Sequence, residues 1–126
     1  MKILIVDDDR SIAEAITFGL ELQWNDVQVI SAADGEAGLD MFIKELPDLV
    51  LLDIMMPGMS GLEVLERWRA NGATEKLPVI MLTAKAQEND VERGFELGAD
   101  DYVIKPFSPR ELARRVTAVL SRRQSA

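Results

Sequence analysis

The sequence predicts an α/β fold: a doubly wound sheet of five parallel strands in the order 2-1-3-4-5, with helices between them. Three observations predict it. Short apolar runs recur at residues 3–6, 27–30, 49–52, 79–82 and 102–104. They are partly β-branched and mostly lack polar alternation, as strands buried on both faces do. The segments between them carry helical spacing and helix-start signals.

In chain order, the first run ends in Asp7-Asp8-Asp9, any one of which can cap the helix that follows. Ile12, Ile16 and Leu20 then fall one helical turn apart. The second run ends in Ser31-Ala32-Ala33, with no obvious chemistry, and the third in Asp53. The fourth ends in Thr83-Ala84, and the start of the next helix carries no clear signal. The fifth ends in Lys105-Pro106. Leu112, Val116 and Val119/Leu120 give the last helix its apolar face. Three capping boxes are expected, at Ser11 with Glu14, Ser60 with Glu63, and Ser108 with Glu111. In each, a Ser side chain and a Glu three residues on satisfy exposed backbone donors. Pro109 stands at the first position of the last helix, where its missing N–H costs nothing.

With 126 residues, 48% hydrophobic and 29% charged, the composition fits one globular domain. Residues 1–123 are assigned to it, and residues 124–126 to a C-terminal tail or the start of a linker. The apolar stretch before Asp7 is too short for a signal peptide, and no run could span a membrane. Cys and His are both absent. That excludes disulfides, thiolate metal sites and imidazole acid/base chemistry, and leaves carboxylates as metal ligands. Hard oxygen donors suit Mg²⁺, Mn²⁺ or Ca²⁺ rather than zinc. A net charge of −8 makes the domain by itself a poor binder of nucleic acid. A cytoplasmic location is expected.

In the expected strand order, strands one, three, four and five are neighbours, so their terminal polar groups gather at one sheet edge. Taken singly, each has a bland reading: a helix cap for an Asp, a β-branched strand residue for Thr83, a solvated charge for Lys105. Taken together they resist it, because clustered carboxylates repel and raise one another's pKa. A divalent cation would relieve the repulsion, and Lys105 would offset part of it. The chemistry this suits is attack by the Asp53 carboxylate on a phosphoryl donor. Asp8 and Asp53 would hold Mg²⁺, with Asp7 binding directly or through water. Lys105 supplies a second positive charge, and the Thr83 hydroxyl can donate to a phosphoryl oxygen. The carboxylate has no proton to lose, so no general base is needed.

Four separated motifs carry a resemblance across the chain. They are Asp7-Asp8-Asp9 after the first run, Asp53-Ile54-Met55-Met56-Pro57-Gly58, Thr83-Ala84, and Tyr102-Val103-Ile104-Lys105-Pro106-Phe107. Together they resemble the receiver domain of two-component response regulators, a flavodoxin-like (βα)5 fold. The stretch from Asp100 to Arg123 is most similar to the OmpR/PhoB-like subfamily, whose receivers precede a winged-helix DNA-binding domain. The resemblance implies a signalling switch that catalyses only its own phosphorylation and dephosphorylation. Asp53 would be the phosphoacceptor, served by a sensor histidine kinase. Asp7, Asp8, Asp53 and the Met55 backbone carbonyl would bind Mg²⁺, with Mn²⁺ as a substitute. Thr83 and Tyr102 would form the switch pair, Lys105 would contact the phosphoryl group, and the Lys105–Pro106 bond would be cis. Any DNA binding would belong to an effector domain outside this one. The resemblance also implies a homodimer on phosphorylation, built on Asp100, Asp101, Glu111, Arg115, Arg122, Phe95 and Ala113. Asp101 would pair with Arg115, and Asp100 with Arg122, across a two-fold axis. Val91 stands where a basic residue is expected, and Glu92 where an apolar one is, so a weak dimer is expected.

Two rivals use other parts of the pattern. Asp7-Asp8-Asp9-Arg10-Ser11 resembles the first motif of haloacid-dehalogenase-type phosphatases, with Asp7 as nucleophile and Asp9 as acid/base. The chain is short for that fold, and Asp53 would have no role. A nucleotide- or flavin-binding module would want a Gly-rich turn after strand one, where this chain has three Asp.

Overall fold

The computed structural model describes residues 1–71, 76–84 and 88–125. Ten elements alternate along them: β1 (Lys2–Val6), α1 (Arg10–Gln23), β2 (Gln28–Ala32), α2 (Gly35–Glu45), β3 (Leu49–Asp53), α3 (Gly61–Ala70), β4 (Val79–Ala84), α4 (Glu88–Glu96), β5 (Asp101–Lys105) and α5 (Pro109–Ser125). All neighbouring strands pair parallel, in the order β2-β1-β3-β4-β5, as the sequence predicts. Asp53, Thr83 and Lys105 lie inside their strands, so the ladder fixes their backbone.

The period of two along each strand divides the core. Leu4, Val6, Val50, Leu52, Val79 and Met81 face α2 and α3, where Phe42, Val64, Leu65 and Trp68 close over them. Ile3, Ile5, Leu49, Leu51, Ile80 and Leu82 face α1 and α5, under Ile16, Leu20, Leu112 and Val116. Each fully buried aliphatic side chain is worth about 1.5–3 kcal/mol, whereas an exposed ion pair contributes about 0–1 kcal/mol. The two apolar layers therefore hold the fold, and the sheet can carry an unfavourable polar cluster at one edge.

Two of the three expected Ser caps form. The Glu63 N–H donates to Ser60 Oγ at 3.3 Å, and the Glu111 N–H to Ser108 Oγ at 3.1 Å. The third expectation is corrected. Asp9, not Ser11, caps α1, with its Oδ1 accepting from the Ser11 and Ile12 N–H groups at 3.0 and 3.3 Å. Ser11 lies within the first turn of the helix. Asp9 wins because it precedes the turn and presents a charged acceptor to the positive helix end. The Lys105–Pro106 peptide bond is cis.

Gly61 lets α3 begin against the end of β3. A Cβ there would run into the Asp53 carbonyl oxygen and would sit 2.8 Å from Ile54 Cα. Neither contact is with a flexible side chain that could move aside. Gly61→Ala should therefore cost about 1–3 kcal/mol, as overpacking does, read from urea unfolding. A loss under about 0.5 kcal/mol, the range of an ordinary surface change, would show that the α3 start shifts without resistance.

Candidate functional site

The carboxyl ends of β1, β3 and β5 converge. Asp7 follows β1 directly, and its N–H donates to the Ala32 carbonyl at 3.1 Å, extending the β1–β2 ladder by one bond. Asp53 closes β3, and Lys105 closes β5. Asp7 and Asp53 are 2% and 4% exposed, whereas Asp8 lies at the surface. One carboxylate oxygen from each of Asp7, Asp8 and Asp53 lies within 4.8 Å of the others. This is the set expected from the sequence. Lys105 reaches in between, with Nζ 3.2 Å from Asp7 Oδ2 and 3.5 Å from Asp53 Oδ2. The second oxygens are held by backbone: the Asp9 N–H donates to Asp7 Oδ1 at 2.9 Å, and the Met55 N–H to Asp53 Oδ1 at 3.1 Å.

The cluster opens into a depression of about 400 Å³ lined by Asp8, Asp9, Ile12, Asp53, Ala84 and Lys105, with Met55 at its rim. An apolar groove beside it shares Ile12 and Lys105 but holds no carboxylate. Thr83, 1% exposed, completes the edge on β4, with its hydroxyl donating to the Ala84 carbonyl at 3.2 Å. Register pairs Met81 with Tyr102 and Thr83 with Ile104. Thr83 and Tyr102 thus share one sheet face, one strand apart and two residues offset.

Asp53 carries the electrostatic cost. Its pKa is pushed from the ordinary 3.8 up to about 7, first by burial and then by the neighbouring Asp7 carboxylate. Lys105 and the Met55 N–H pull it the other way without cancelling the rise. Three hard carboxylates around a space bordered, among the described residues, by the Lys105 ammonium are a donor set that fits a divalent ion.

The residues expected at a self-association face lie on α4, β5 and α5, except Asp100, which directly precedes β5. Asp101 is bound within its own chain, 3.1 Å from Arg115 and 3.9 Å from Arg122. Glu111 lies 3.9 Å from Arg115 one turn along α5. Asp100 accepts the Val79 N–H at 2.9 Å and faces Arg69 at 3.8 Å. Arg122 therefore stands beside Asp101 rather than Asp100. Phe95 is 43% exposed, but Ala113 is 5% exposed and belongs to the interior. Arg69 is a residue the sequence did not single out. Its guanidinium also donates to the Leu77 and Gly98 carbonyls, each at 2.8 Å, tying α3 to two loops. No local pattern encodes contacts at that separation.

The site and fold define a class. Residues 3–117 match the model of the response regulator receiver domain, and the chain belongs to that family. Its curated relatives are of the OmpR/PhoB-like subfamily. It is 43% identical over 121 residues to the phosphate regulon transcriptional regulatory protein PhoB of Escherichia coli K12, covering 96% of this chain and 52% of that protein. It is 48% identical over 127 residues to the alkaline phosphatase synthesis transcriptional regulatory protein PhoP of Bacillus subtilis 168, covering 99% of this chain and 50% of that protein. The chain thus spans about half the length of these relatives. Among solved structures, a CheY-like receiver domain from Methanospirillum hungatei JF-1 superposes with a TM-score of 0.89 at 32% identity, covering 98% of this chain and 96% of that one. The chain is therefore a receiver in phosphorylation-based signalling rather than a conventional enzyme. Among the described residues, no helix is long and apolar enough to cross a membrane.

The raised pKa predicts a pH signature without metal. Between 3.8 and about 7, the folded state keeps a proton on Asp53 that the unfolded chain has released. Stability from this group is full below the ordinary value and is lost as pH rises through the folded one. Metal-free wild type should lose stability relative to Asp53→Asn across that window, measured by thermal unfolding. Parallel curves for the two proteins would show that Asp53 is not strained by its surroundings.

Proposed function

We propose that Asp53 accepts a phosphoryl group from the phosphohistidine of a sensor histidine kinase, in a Mg²⁺-dependent transfer. The observation that carries this reading is the placement of Asp53: a buried carboxylate facing Lys105 at 3.5 Å, beside Asp7, at the floor of an open depression. A carboxylate oxygen of Asp53 attacks phosphorus, the bond from phosphorus to the donor breaks, and the donor leaves with that electron pair. Asp7, Asp8, Asp53 and the Met55 carbonyl would hold Mg²⁺, with Mn²⁺ as a substitute. When bound, the ion neutralises charge on the carboxylate and phosphoryl oxygens. Lys105, 3.5 Å from Asp53 Oδ2, would supply further positive charge. Asp53 must be ionised to attack, so cationic neighbours that lower its pKa also raise the fraction able to react.

Thr83 would then turn its hydroxyl toward the phosphoryl group, and Tyr102 would move into the space released on their common face. One neutral hydrogen bond is worth about 0.5–1.5 kcal/mol, enough to shift a balanced two-state equilibrium about tenfold at most. The phosphatase alternative is opposed by Asp9. Its carboxylate is occupied capping α1, and an acid/base must instead face the reacting atoms. For the whole protein we propose a cytoplasmic regulator whose DNA binding resides outside this domain.

The first test is intact mass after treatment with a small phosphodonor. Wild type with Mg²⁺ should gain one phosphoryl group, and chelation or Asp53→Asn should abolish the gain. Asp9→Asn should leave it largely intact. Label mapped to Asp7, or an adduct persisting in Asp53→Asn, would overturn the reading in favour of the phosphatase one.

Phosphorylation would also promote weak self-association through α4, β5 and α5. The intrachain engagement of Asp100 with Arg69 and of Asp101 with Arg115 limits what remains for a partner. Phe95 offers apolar area but Ala113 does not, and Glu92 places a charge on the same helix. An unpaired carboxylate is costly to desolvate. Sedimentation of the Mg²⁺-phosphorylated domain should show a dimer only toward high concentration. A monomer throughout would refute self-association, and a tight dimer unaffected by Arg115→Ala would place it on another face.

A further inference from the structure

The chain has six methionines, and burial separates one from the rest. Met56 and Met81 are 8% and 0% exposed. Met1, Met41 and Met59 are half-buried and pack against the two core layers. The Met59 sulfur lies against Gly35, and the Met81 sulfur against Gly94. Met55 is 62% exposed and lines the depression that holds Asp53. A single exposed apolar side chain is ordinary, but its position here is not. The Met55 N–H donates to Asp53 Oδ1 at 3.1 Å, which fixes the root of the side chain beside the acidic cluster.

The geometry points to Met55 as a redox modification site: peroxides oxidise it to the sulfoxide, and the sulfoxide tightens divalent-ion binding at Asp7, Asp8 and Asp53. The inference rests on the reading of that cluster as a metal site. A sulfur lone pair attacks one peroxide oxygen, the O–O bond breaks, and the other oxygen takes up the protons and leaves as water. The sulfur is oxidised and the peroxide reduced, each by one electron pair. Exposure decides which side chain reacts, and packing shields the other methionines. The product replaces an apolar thioether with a dipole whose negative end is a hard oxygen. Hard oxygen is what the carboxylates already offer, and a small divalent ion keeps some of its waters. The sulfoxide oxygen can accept a hydrogen bond from such a water. It carries no full charge, so it extends the donor set without adding to the repulsion among the carboxylates. The modification is reversible, so metal affinity would follow the oxidant level without any change in the core.

The test uses Mn²⁺, whose free-ion EPR signal falls as the ion binds. The protein is treated briefly with hydrogen peroxide, the peroxide is removed, and the sulfoxide is located by peptide mass. Oxygen should appear on Met55 before any other methionine. The Mn²⁺ dissociation constant should then fall by roughly two- to tenfold, the range one hydrogen bond is worth. It should return to the untreated value when methionine sulfoxide reductase removes the oxygen. Met55→Leu keeps the apolar bulk without a sulfur, and peroxide should leave its Mn²⁺ binding unchanged. Earlier oxidation at another methionine, an unchanged or higher constant in oxidised wild type, or an equal shift in peroxide-treated Met55→Leu would overturn the inference and leave the metal reading standing. If untreated wild type leaves the Mn²⁺ signal unchanged, the metal reading fails and the inference falls with it.

Discussion

The constraint on which the rest depends is the crowding of three carboxylates and one ammonium group at the end of a sheet that leaves Asp7 and Asp53 almost no water. Burying a charge is unfavourable unless partners replace the lost hydration. Lys105 and two backbone N–H groups replace part of it here. The remainder appears as the pKa of Asp53, raised to about 7. Such a site survives because both faces of the sheet are packed with aliphatic side chains.

Topology decides which groups can meet. Placing β1 beside β3 brings Asp7 and Asp53 together, although 46 residues separate them by number. β5 lies two strands from β3, and only a long side chain can cross from it to the cluster. Lys105 does so. The short Thr83 sits on the intervening strand with its hydroxyl near the same edge. The parallel register also places Tyr102 on the face of Thr83.

β1, β3 and β4 were legible because burial on both faces demands apolar runs, whereas the edge strands β2 and β5 are only partly buried despite their apolar runs. The polar ends were legible because Asp, Thr and Lys following such runs break the pattern where the sheet meets solvent. The α1 cap was left between two readings, because Ser11 and Glu14 satisfy the spacing of a capping box while Asp9, two residues earlier and also a candidate cap, satisfies the geometry. Sequence spacing alone does not rank two acceptors. Arg69 was invisible because its carbonyl partners at Leu77 and Gly98 depend on how three elements pack. Ala113 was expected on an outer patch, yet its small side chain lies inside. The phase of α5 against the sheet decides that, and small residues do not reveal the phase. The contact of Phe95 with Tyr102 is tertiary in the same sense.

The electrostatics also bear on why nucleophile and metal ligands would be the same groups. With every member ionised, the three carboxylates outnumber the one ammonium found among the described residues, and two of them, Asp7 and Asp53, are buried. An incoming phosphoryl group is itself anionic and would be repelled by that space. Protonating Asp53 would ease the repulsion, but it would remove the lone-pair charge that attack needs. Moving Asp7 and Asp8 away would ease it too, but nothing would then favour a divalent ion over the water it must partly shed. Keeping the acids together makes the unoccupied cluster unfavourable and makes a divalent ion the species that relieves it. Under the proposed transfer, a bound divalent ion would also ease the approach of an anionic donor to an ionised Asp53. In the proposed reading, the strain of the resting cluster, a preference for a small hard cation and the reactivity of one aspartate would all follow from a single placement of charge.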